Sequence, residues 1–128
     1  MRAARELTPK DGNLICMFGC GGNRDCTKRP KMGKIAQQLC DKIIITSDNP
    51  RQEDPQQIIT DILSGLTLIN PKTVFVEADR HLAIKLLKDL SGENDVLVLA
   101  GKGHENYQIL GDKTIYFDDR EEVLKIFQ

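Results

Sequence analysis

The sequence predicts an α/β fold in which a mostly parallel sheet carries helices on both faces. Along its 128 residues, short and nearly continuous apolar runs alternate with stretches whose apolar side chains recur at helical spacing. Continuous apolar runs are typical of strands buried on both faces, as in parallel sheets. Two short β-like segments around Gly111 and Asp112 add a hairpin and, with it, one antiparallel edge strand. The fold expected from these three observations is Rossmann-like.

The first half of the chain predicts two strand-helix units. The strands are residues 14–18 and 43–46. The second helix is expected to begin with Asp54 as its cap and Pro55 in its first turn, and to stop at Gly65. The apolar stripes that the two helices should bury are Met32, Ile35, Ala36, Leu39 and Cys40 in the first, and Ile58, Ile59, Ile62 and Leu63 in the second.

The second half continues this alternation. Strands are predicted at residues 73–77, 95–100, 107–110 and 113–117. Asp79 is expected to cap one helix, and Asp118, spaced from Glu121 as in a capping box, is expected to cap the last one. The corresponding apolar stripes are Leu82, Ala83, Leu86, Leu87 and Leu90, and then Val123, Leu124 and Phe127.

Charge and hydropathy exclude several classes of function. The formal net charge is −1 and acidic and basic residues are mixed along the chain, so nothing directs the protein to nucleic acid or to an anionic membrane surface. No apolar stretch is long enough to cross a bilayer, and the N-terminus lacks the apolar segment of a signal peptide. We therefore expect a cytoplasmic protein.

The four cysteines predict thiols rather than a metal site. They are Cys16, Cys20, Cys26 and Cys40. Their spacings match no common zinc pattern, and neither histidine lies at ligand spacing from them. Cys16 belongs to a predicted strand and Cys40 to the apolar stripe of a helix, so both are expected in the core. No metal ligand is predicted, and the thiols should be reduced.

The loop after the second predicted strand combines an acid, an amide and a guanidinium on a stiffened backbone: Asp48, Asn49, Pro50 and Arg51. Open parallel sheets bind ligands at the carboxyl ends of their strands. Pro50 fixes its own φ and biases Asn49 towards an extended conformation, so Arg51 should be held in one direction. A planar guanidinium suits a carboxylate, which predicts a site for a small zwitterion. The alternative, an ordinary turn with a surface arginine, stays open from these residues alone.

A glycine-rich turn after the first predicted strand is a second candidate. Its glycines permit close backbone approach, but Arg24 occupies the third glycine position of a dinucleotide-binding turn, and no Gly-Lys-Ser/Thr follows. Arg24, Lys28 and Arg29 add positive charge at a helix N-terminus, which predicts an anion site. A tight turn with solvated basic side chains is the alternative here.

The third candidate loop, residues 101–105, follows the strand predicted at residues 95–100. Glu105 can receive an ammonium group, and the loop's glycines leave backbone carbonyls exposed that can assist it. His104 could act as a general base, although such a histidine more often holds its loop by hydrogen bonds. Together the three loops place two arginines and two acids at one rim of the sheet. That complement fits an amino acid with more than one charged end.

Three motifs carry a resemblance to a known family: Phe-Gly-Cys-Gly-Gly-Asn-Arg-Asp, Asp-Asn-Pro-Arg and Gly-Lys-Gly-His-Glu-Asn-Tyr-Gln. They resemble the C-terminal domain of the Mur ligases, and the resemblance runs from Arg2 to Phe127. It implies one such domain over residues 1–128, without its first strand and part of its first helix. Residues 1–7 look like the last turns of a helix, and we expect the chain to be part of a longer protein.

The resemblance also implies an activity and assigns roles to residues. The activity is an ATP-dependent ligation that adds meso-diaminopimelate to UDP-MurNAc-L-Ala-D-Glu in peptidoglycan synthesis. Arg51 would bind a carboxylate of meso-diaminopimelate, with Arg24 as a second contact. The carbonyl of Gly101 and the side chain of Glu105 would hold the amino group at the same centre. The substrate-binding residues implied are Arg24, Asp48, Asn49, Pro50, Arg51, Gly101 and Glu105.

Nucleotide contacts are implied by the same resemblance. In the family this domain closes over ATP held by a central domain, and the weaker candidates for contact with it are Asn23, Asp25 and Lys28. Asn23 stands where many relatives have aspartate. The resemblance implies ATP and Mg²⁺ as cofactors of the full-length enzyme, none bound tightly to this chain, and no catalytic or metal-binding residue within it.

The expected partners follow from these assignments. This chain would bind meso-diaminopimelate, whereas UDP-MurNAc-dipeptide and ATP would be bound through other domains. We expect a monomer that is catalytically inactive alone. Two other functions stay open from the residues: a stand-alone anion- or nucleotide-binding Rossmann-like module, based on the first glycine turn, and an interaction domain that pairs through an uncovered sheet edge.

Overall fold

A computed structural model describes residues 2–22, 25–100, 107–110 and 113–127. The helices of this part are α1 (Arg2–Leu7), α2 (Lys28–Leu39), α3 (Pro55–Leu63), α4 (Arg80–Leu90) and α5 (Asp119–Ile126). The strands are β1 (Leu14–Phe18), β2 (Lys42–Ile45), β3 (Val74–Val76), β4 (Val96–Leu99), β5 (Tyr107–Leu110) and β6 (Lys113–Tyr116). Each predicted strand and helix is therefore present, with its ends shifted by a few residues at most.

The main sheet has four parallel strands in the order β3-β2-β1-β4. Strand β1 lies between β2 and β4, so Cys16 pairs with Ile43 on one side and with Val98 on the other. Every residue of β1 is buried, which explains its uninterrupted apolar sequence. The predicted Rossmann-like α/β fold is confirmed.

The antiparallel segment differs in one detail from the prediction of an edge strand. Within the described ranges, β5 and β6 pair with each other as a separate two-stranded sheet and not with the edge of the main one. The side chain of Gln108 in β5 is buried and its Nε2 donates to the backbone oxygen of Asp48 at 2.8 Å. This bond ties the hairpin to the loop beyond the end of β2, whereas an edge strand would run alongside the sheet.

Helices cover both faces of the sheet, as predicted. On one face, α2 and α3 complete a buried cluster of Cys16, Phe18, Ile43, Ile45, Ala36, Ile58, Ile59 and Ile62. On the other face, α4 and the segment leading to α5 complete a cluster of Ile15, Met17, Ile44, Ala83, Ile84, Leu87 and Phe117. The core is thus two apolar layers on either side of β1 and β2. No helix in the described part is both long and apolar enough to cross a membrane.

The buried face of α2 is only partly the one predicted. Ala36 is buried as predicted, but Met32 and Ile35 are 39% and 50% exposed, and the helix buries Arg29 and Gly33 in addition. A Cβ on Gly33 would stand 2.4 Å from the backbone oxygen of Ile62, so this glycine lets α2 pack closely on α3. Leu82 and Leu124, also predicted to be buried, are 44% and 65% exposed because neighbouring positions of their helices face the core.

Side-chain caps begin three of the helices as predicted. Asp54 accepts a hydrogen bond from the Gln56 amide at the start of α3. Asp79 accepts one from the Leu82 amide in α4, and Asp118 accepts one from the Arg120 amide in α5. These aspartates follow loops at the carboxyl end of the sheet, so they fix where each loop ends.

Candidate functional site

The loops that follow β1 and β2 lie side by side at the carboxyl end of the sheet. The Thr46 amide donates to the Phe18 oxygen at 2.9 Å, and the Gly22 amide donates to the Asn49 oxygen at 2.6 Å. The third loop leaves β4 on the other side of β1, where the Ala100 amide donates to the Met17 oxygen at 2.9 Å. The three predicted loops therefore start at one rim.

Several predicted site residues lie outside the described residues. They are Asn23, Arg24, Gly101, His104 and Glu105. The described part of the candidate site consists of residues 19–22 and 25–28 in the first loop and 46–53 in the second.

Two glycines bring the first loop against the second. A Cβ on Gly19 would stand 2.5 Å from the Thr46 oxygen, and one on Gly22 would stand 1.8 Å from the Pro50 oxygen. Both distances are too short for any side chain, so these positions require glycine. The close backbone approach predicted for this turn is present, and it is made by the backbone of the second loop.

Arg51 adopts a left-handed backbone conformation, with φ at 55°. That conformation is costly for a residue other than glycine and is concentrated at functional sites. The side chain is anchored at one end, because Nη1 donates to the oxygens of Gly22 (3.1 Å) and Asn49 (3.3 Å). Within the described ranges, Nε and Nη2 have no partner. Among these residues the guanidinium is held through one nitrogen, and its Nε–Nη2 edge has the two-pronged geometry that a carboxylate accepts.

The other residues of the Asp-Asn-Pro-Arg loop are largely buried. Asn49 is 2% exposed, and Pro50 accepts a hydrogen bond at its oxygen from the Glu53 amide at 3.0 Å, which closes the turn around Arg51. Asp48 lines a cavity of about 240 Å³, together with Gly19 and Lys28. The loop is thus built into the protein and is not an exposed surface turn.

The nucleotide candidates Asp25 and Lys28 lie at the N-terminus of α2. Asp25 accepts hydrogen bonds from the amide and the hydroxyl of Thr27, at 3.0 Å and 2.7 Å. These bonds lower the pKa of Asp25, so the side chain is a carboxylate that shapes the turn into α2. Lys28 is exposed and lines the 240 Å³ cavity beside Asp48, where its ammonium group is available to an anion.

Arg29 does not belong to the anion site, so that prediction is wrong. It is 1% exposed, and its Nη1 donates to Glu53 at 2.6 Å and to Asp61 at 2.9 Å. Its Nη2 donates to Glu53 at 2.9 Å and to the Gly21 oxygen at 3.1 Å. The hydrogen bonds that Arg29 donates to Glu53 raise the pKa of Arg29 above its ordinary value. The buried Arg29 side chain therefore links the first loop, the second loop and α3 by hydrogen bonds.

Arg80 is a second buried arginine, and the sequence analysis gave it no role. It is 1% exposed, and its Nε and Nη2 bind both oxygens of Asp119 at 2.7 Å and 2.6 Å. Nη1 donates to the Ser47 oxygen at 2.9 Å, and Nη2 approaches the Ala100 oxygen at 3.4 Å. No local sequence pattern predicts this role, because an arginine in the first turn of a helix ordinarily points to solvent.

Comparison with known proteins identifies the fold family. A family model described as "Mur ligase, glutamate ligase domain" matches residues 1–103. The chain belongs to this Mur ligase family. It is 54% identical over 123 residues to the UDP-N-acetylmuramoyl-L-alanyl-D-glutamate–2,6-diaminopimelate ligase of Prochlorococcus marinus (strain NATL1A), covering 96% of this chain and 23% of that relative. It is 56% identical over 122 residues to the ligase of the same name from Synechococcus elongatus, covering 95% and 24%.

A solved structure supports the same assignment for this Mur ligase domain. The structure of a UDP-N-acetylmuramoyl-L-alanyl-D-glutamate–2,6-diaminopimelate ligase matches with a TM-score of 0.88 and 38% identity. The match covers 98% of this chain and 26% of that one. The chain therefore spans about a quarter of the length of the curated relatives that it matches.

Two further cavities of the Mur ligase domain are larger than the one beside Asp48. One of about 390 Å³ is flanked by the N-terminal ends of α3 and α4, with Pro55, His81, Gln108 and Phe117 in its lining. The other, of about 380 Å³, is lined mainly by Leu99, Val123 and Leu124. None of the four cysteines, all of which are among the described residues, is in a disulfide, and among the described side chains no group of three or more His, Cys, Asp or Glu could hold a metal ion.

Proposed function

We propose that this chain is the amino-acid-binding domain of an ATP-dependent ligase that adds meso-diaminopimelate to UDP-MurNAc-L-Ala-D-Glu in peptidoglycan synthesis. The names of the relatives support the reaction. The geometry of Arg51 carries the proposal for the domain, because a guanidinium anchored through Nη1 keeps one edge for a substrate carboxylate. In this proposal the domain binds the amine substrate and orients its amino group. ATP, bound elsewhere in the ligase, supplies the activation of the acceptor carboxylate.

The proposed contacts divide by charge. Arg51, with Arg24 of the first loop as a second contact, binds carboxylate at the distal end of meso-diaminopimelate. Glu105 and the Gly101 oxygen bind the ammonium group of that end. Asp48 and Asn49 form the wall of the pocket. Lysine lacks the distal carboxylate, so it would leave the arginine desolvated and unpaired, and such a mismatch can reject an analogue by about 10⁴-fold.

A nucleotide contact is the finer part of the proposal. Lys28 beside the 240 Å³ cavity has a charge and a location suited to a phosphate group. Asp25 is engaged with Thr27 and is the weaker candidate. We propose that ATP and Mg²⁺ are held mainly by other domains of the ligase, that the chain is monomeric, and that the enzyme acts in the cytoplasm.

The alternative of a stand-alone dinucleotide-binding module receives no support from the first loop. In such a module the turn glycines make room for a pyrophosphate. Here the space beside Gly19 and Gly22 is filled by the backbone of Thr46 and Pro50. The alternative of an interaction domain keeps one described feature: β3 and β4 are the outer strands of the main sheet, and neither has a second strand neighbour within the described ranges.

Steady-state kinetics of a full-length ligase that carries this domain would test the proposal. Arg51→Ala should raise the KM for meso-diaminopimelate by about 10- to 100-fold, the value of a lost charge-assisted hydrogen-bond pair, and leave the KM for ATP within twofold. The matched control is Arg120→Ala, because the Arg120 side chain is 66% exposed in α5. An unchanged KM for meso-diaminopimelate in Arg51→Ala would remove the proposed role of Arg51.

A further inference from the structure

Arg80 connects parts of the domain that the sheet itself does not connect. Its two backbone acceptors, Ser47 and Ala100, immediately precede the Asp-Asn-Pro-Arg loop and residue 101. Ser47 follows β2 and Ala100 follows β4, and these strands are not neighbours because β1 runs between them. No hydrogen bond of the sheet therefore sets the distance between Ser47 and Ala100 directly, whereas the guanidinium of Arg80 bridges these two residues.

The guanidinium is itself held in one orientation. Asp119 is the first residue of α5, and its two carboxylate oxygens accept hydrogen bonds from Nε and Nη2 of Arg80. The side chain of Arg80 is fully buried. A pair of this geometry is rigid, because two parallel hydrogen bonds fix the plane of the guanidinium. Burying such a pair contributes little net stability compared with apolar residues of the same volume, so stability alone does not account for it.

We propose that Arg80 is a positioning residue that sets the separation between Ser47 and Ala100, from which the second and third loops start, with Asp119 fixing its orientation. The inference rests on the proposed function, in which Arg51 in the second loop binds the carboxylate and Glu105 in the third binds the ammonium group of one substrate end. The distance between those loops then decides whether both charged groups are bound at once. Arg80 thereby contributes to selectivity without contacting the substrate.

Arg80→Lys in the full-length ligase tests this role, because lysine keeps the charge but cannot donate to Asp119, Ser47 and Ala100 from one planar group. We expect the KM for meso-diaminopimelate to rise by about 10- to 100-fold, with the KM for ATP within twofold. The ratio of kcat/KM for meso-diaminopimelate to that for lysine should fall by at least tenfold. Asp119→Asn, which keeps one oxygen acceptor, should shift both quantities in the same direction by a smaller factor.

A purely structural role for Arg80 predicts a different result. Melting temperature and the active fraction would then fall while both KM values and the substrate ratio stayed at the values of the parent enzyme, and that outcome would overturn the inference. If Arg80→Lys does not fold, the KM values and the substrate ratio of Asp119→Asn decide between the positioning role and the purely structural role. The exposed Arg120→Lys is the matched control and should leave all of these quantities unchanged.

The parallel measurement on Arg51→Ala separates the two proposals. A raised KM for meso-diaminopimelate in Arg51→Ala together with a parent-like value in Arg80→Lys would overturn the positioning role alone. Parent-like values in both variants would overturn the amino-acid-binding function and the positioning role with it.

Discussion

Arg29 holds Glu53 through two hydrogen bonds, of 2.6 Å and 2.9 Å, that join α2 to the loop carrying the Asp-Asn-Pro-Arg motif. Asp61 in α3 binds the same guanidinium at 2.9 Å. Since the Arg29 side chain is buried while the two carboxylates are partly exposed, the arginine is the member whose loss is least compensated. The ion cluster therefore fixes the base of the candidate site.

The first prediction concerns the stability of this cluster. Arg29→Ala should lower the free energy of unfolding by about 3 kcal/mol, because two carboxylates are left facing each other beside a cavity. Glu53→Gln should cost less, about 1 to 2 kcal/mol, because Asp61 still neutralises the guanidinium. Urea unfolding followed by circular dichroism measures both, with Arg120→Ala as a surface control expected within about 0.5 kcal/mol of the parent. A loss in Arg29→Ala no larger than in the control would contradict this account of the cluster.

The second prediction separates two glycines by their surroundings. Gly22→Ala places a Cβ 1.8 Å from the Pro50 oxygen, so the first two loops must move apart. We expect a loss of more than about 2 kcal/mol of stability and a raised KM for meso-diaminopimelate in a full-length ligase. Gly92→Ala is the control, because its Cβ would meet only a side-chain oxygen of Asp95 at 3.8 Å. Equal stabilities of the two variants would show that the loops are not packed as described.

The third prediction sets stability against binding at Arg51. Its φ of 55° suits glycine, so Arg51→Gly should be more stable than Arg51→Ala by about 1 kcal/mol. Both variants lack the guanidinium, and both should bind meso-diaminopimelate equally weakly in calorimetric titrations. Thermal unfolding of both variants measures the difference in stability, and the titrations measure the loss of binding. Arg51→Gly less stable than Arg51→Ala would argue against the left-handed backbone.

The fourth prediction concerns thiol reactivity. Burial raises the pKa of the Cys20 thiol, and the hydrogen bond with Cys40 together with burial raises that of Cys16. A raised pKa lowers the thiolate fraction at a given pH, and access is also restricted, so both should react slowly with iodoacetamide at pH 8. Cys26 is exposed and should react first. Peptide mass spectrometry gives the order, and urea should remove the differences; fast labelling of Cys16 in the folded protein would contradict its burial.

The sequence predicted those features that depend on neighbouring residues. The strands are continuous apolar runs, and the helix starts at Asp54, Asp79 and Asp118 follow from local capping chemistry, so both can be recognised within a few residues. The buried face of α2 was predicted only in part, because Gly33 and Arg29 become interior only through packing against α3. That contact joins residues about 30 positions apart and leaves no local pattern.

The candidate site was predictable to a similar degree. The motif at residues 48–51 could be singled out because Pro50 and Arg51 have recognisable chemistry, whereas the left-handed conformation of Arg51 could not. The error on Arg29 and the omission of Arg80 have one cause. A buried arginine and an anion-binding arginine look alike in a sequence until their carboxylate partners, which lie 24 to 39 residues away, are brought beside them.

The strand order has a consequence for the emergence of the chain from the ribosome. Strand β1 is made well before β4, yet β4 is one of its two neighbours, with Val98 paired to Cys16. Until that late segment has emerged, β1 presents an open edge to other nascent chains, and Arg80 lacks its acceptor at Ala100. Such distant pairing also slows folding. The carboxyl end of the sheet should therefore be among the last parts of the domain to form during translation. A ribosome that stalls before residue 98 should leave a nascent chain that chaperones recognise.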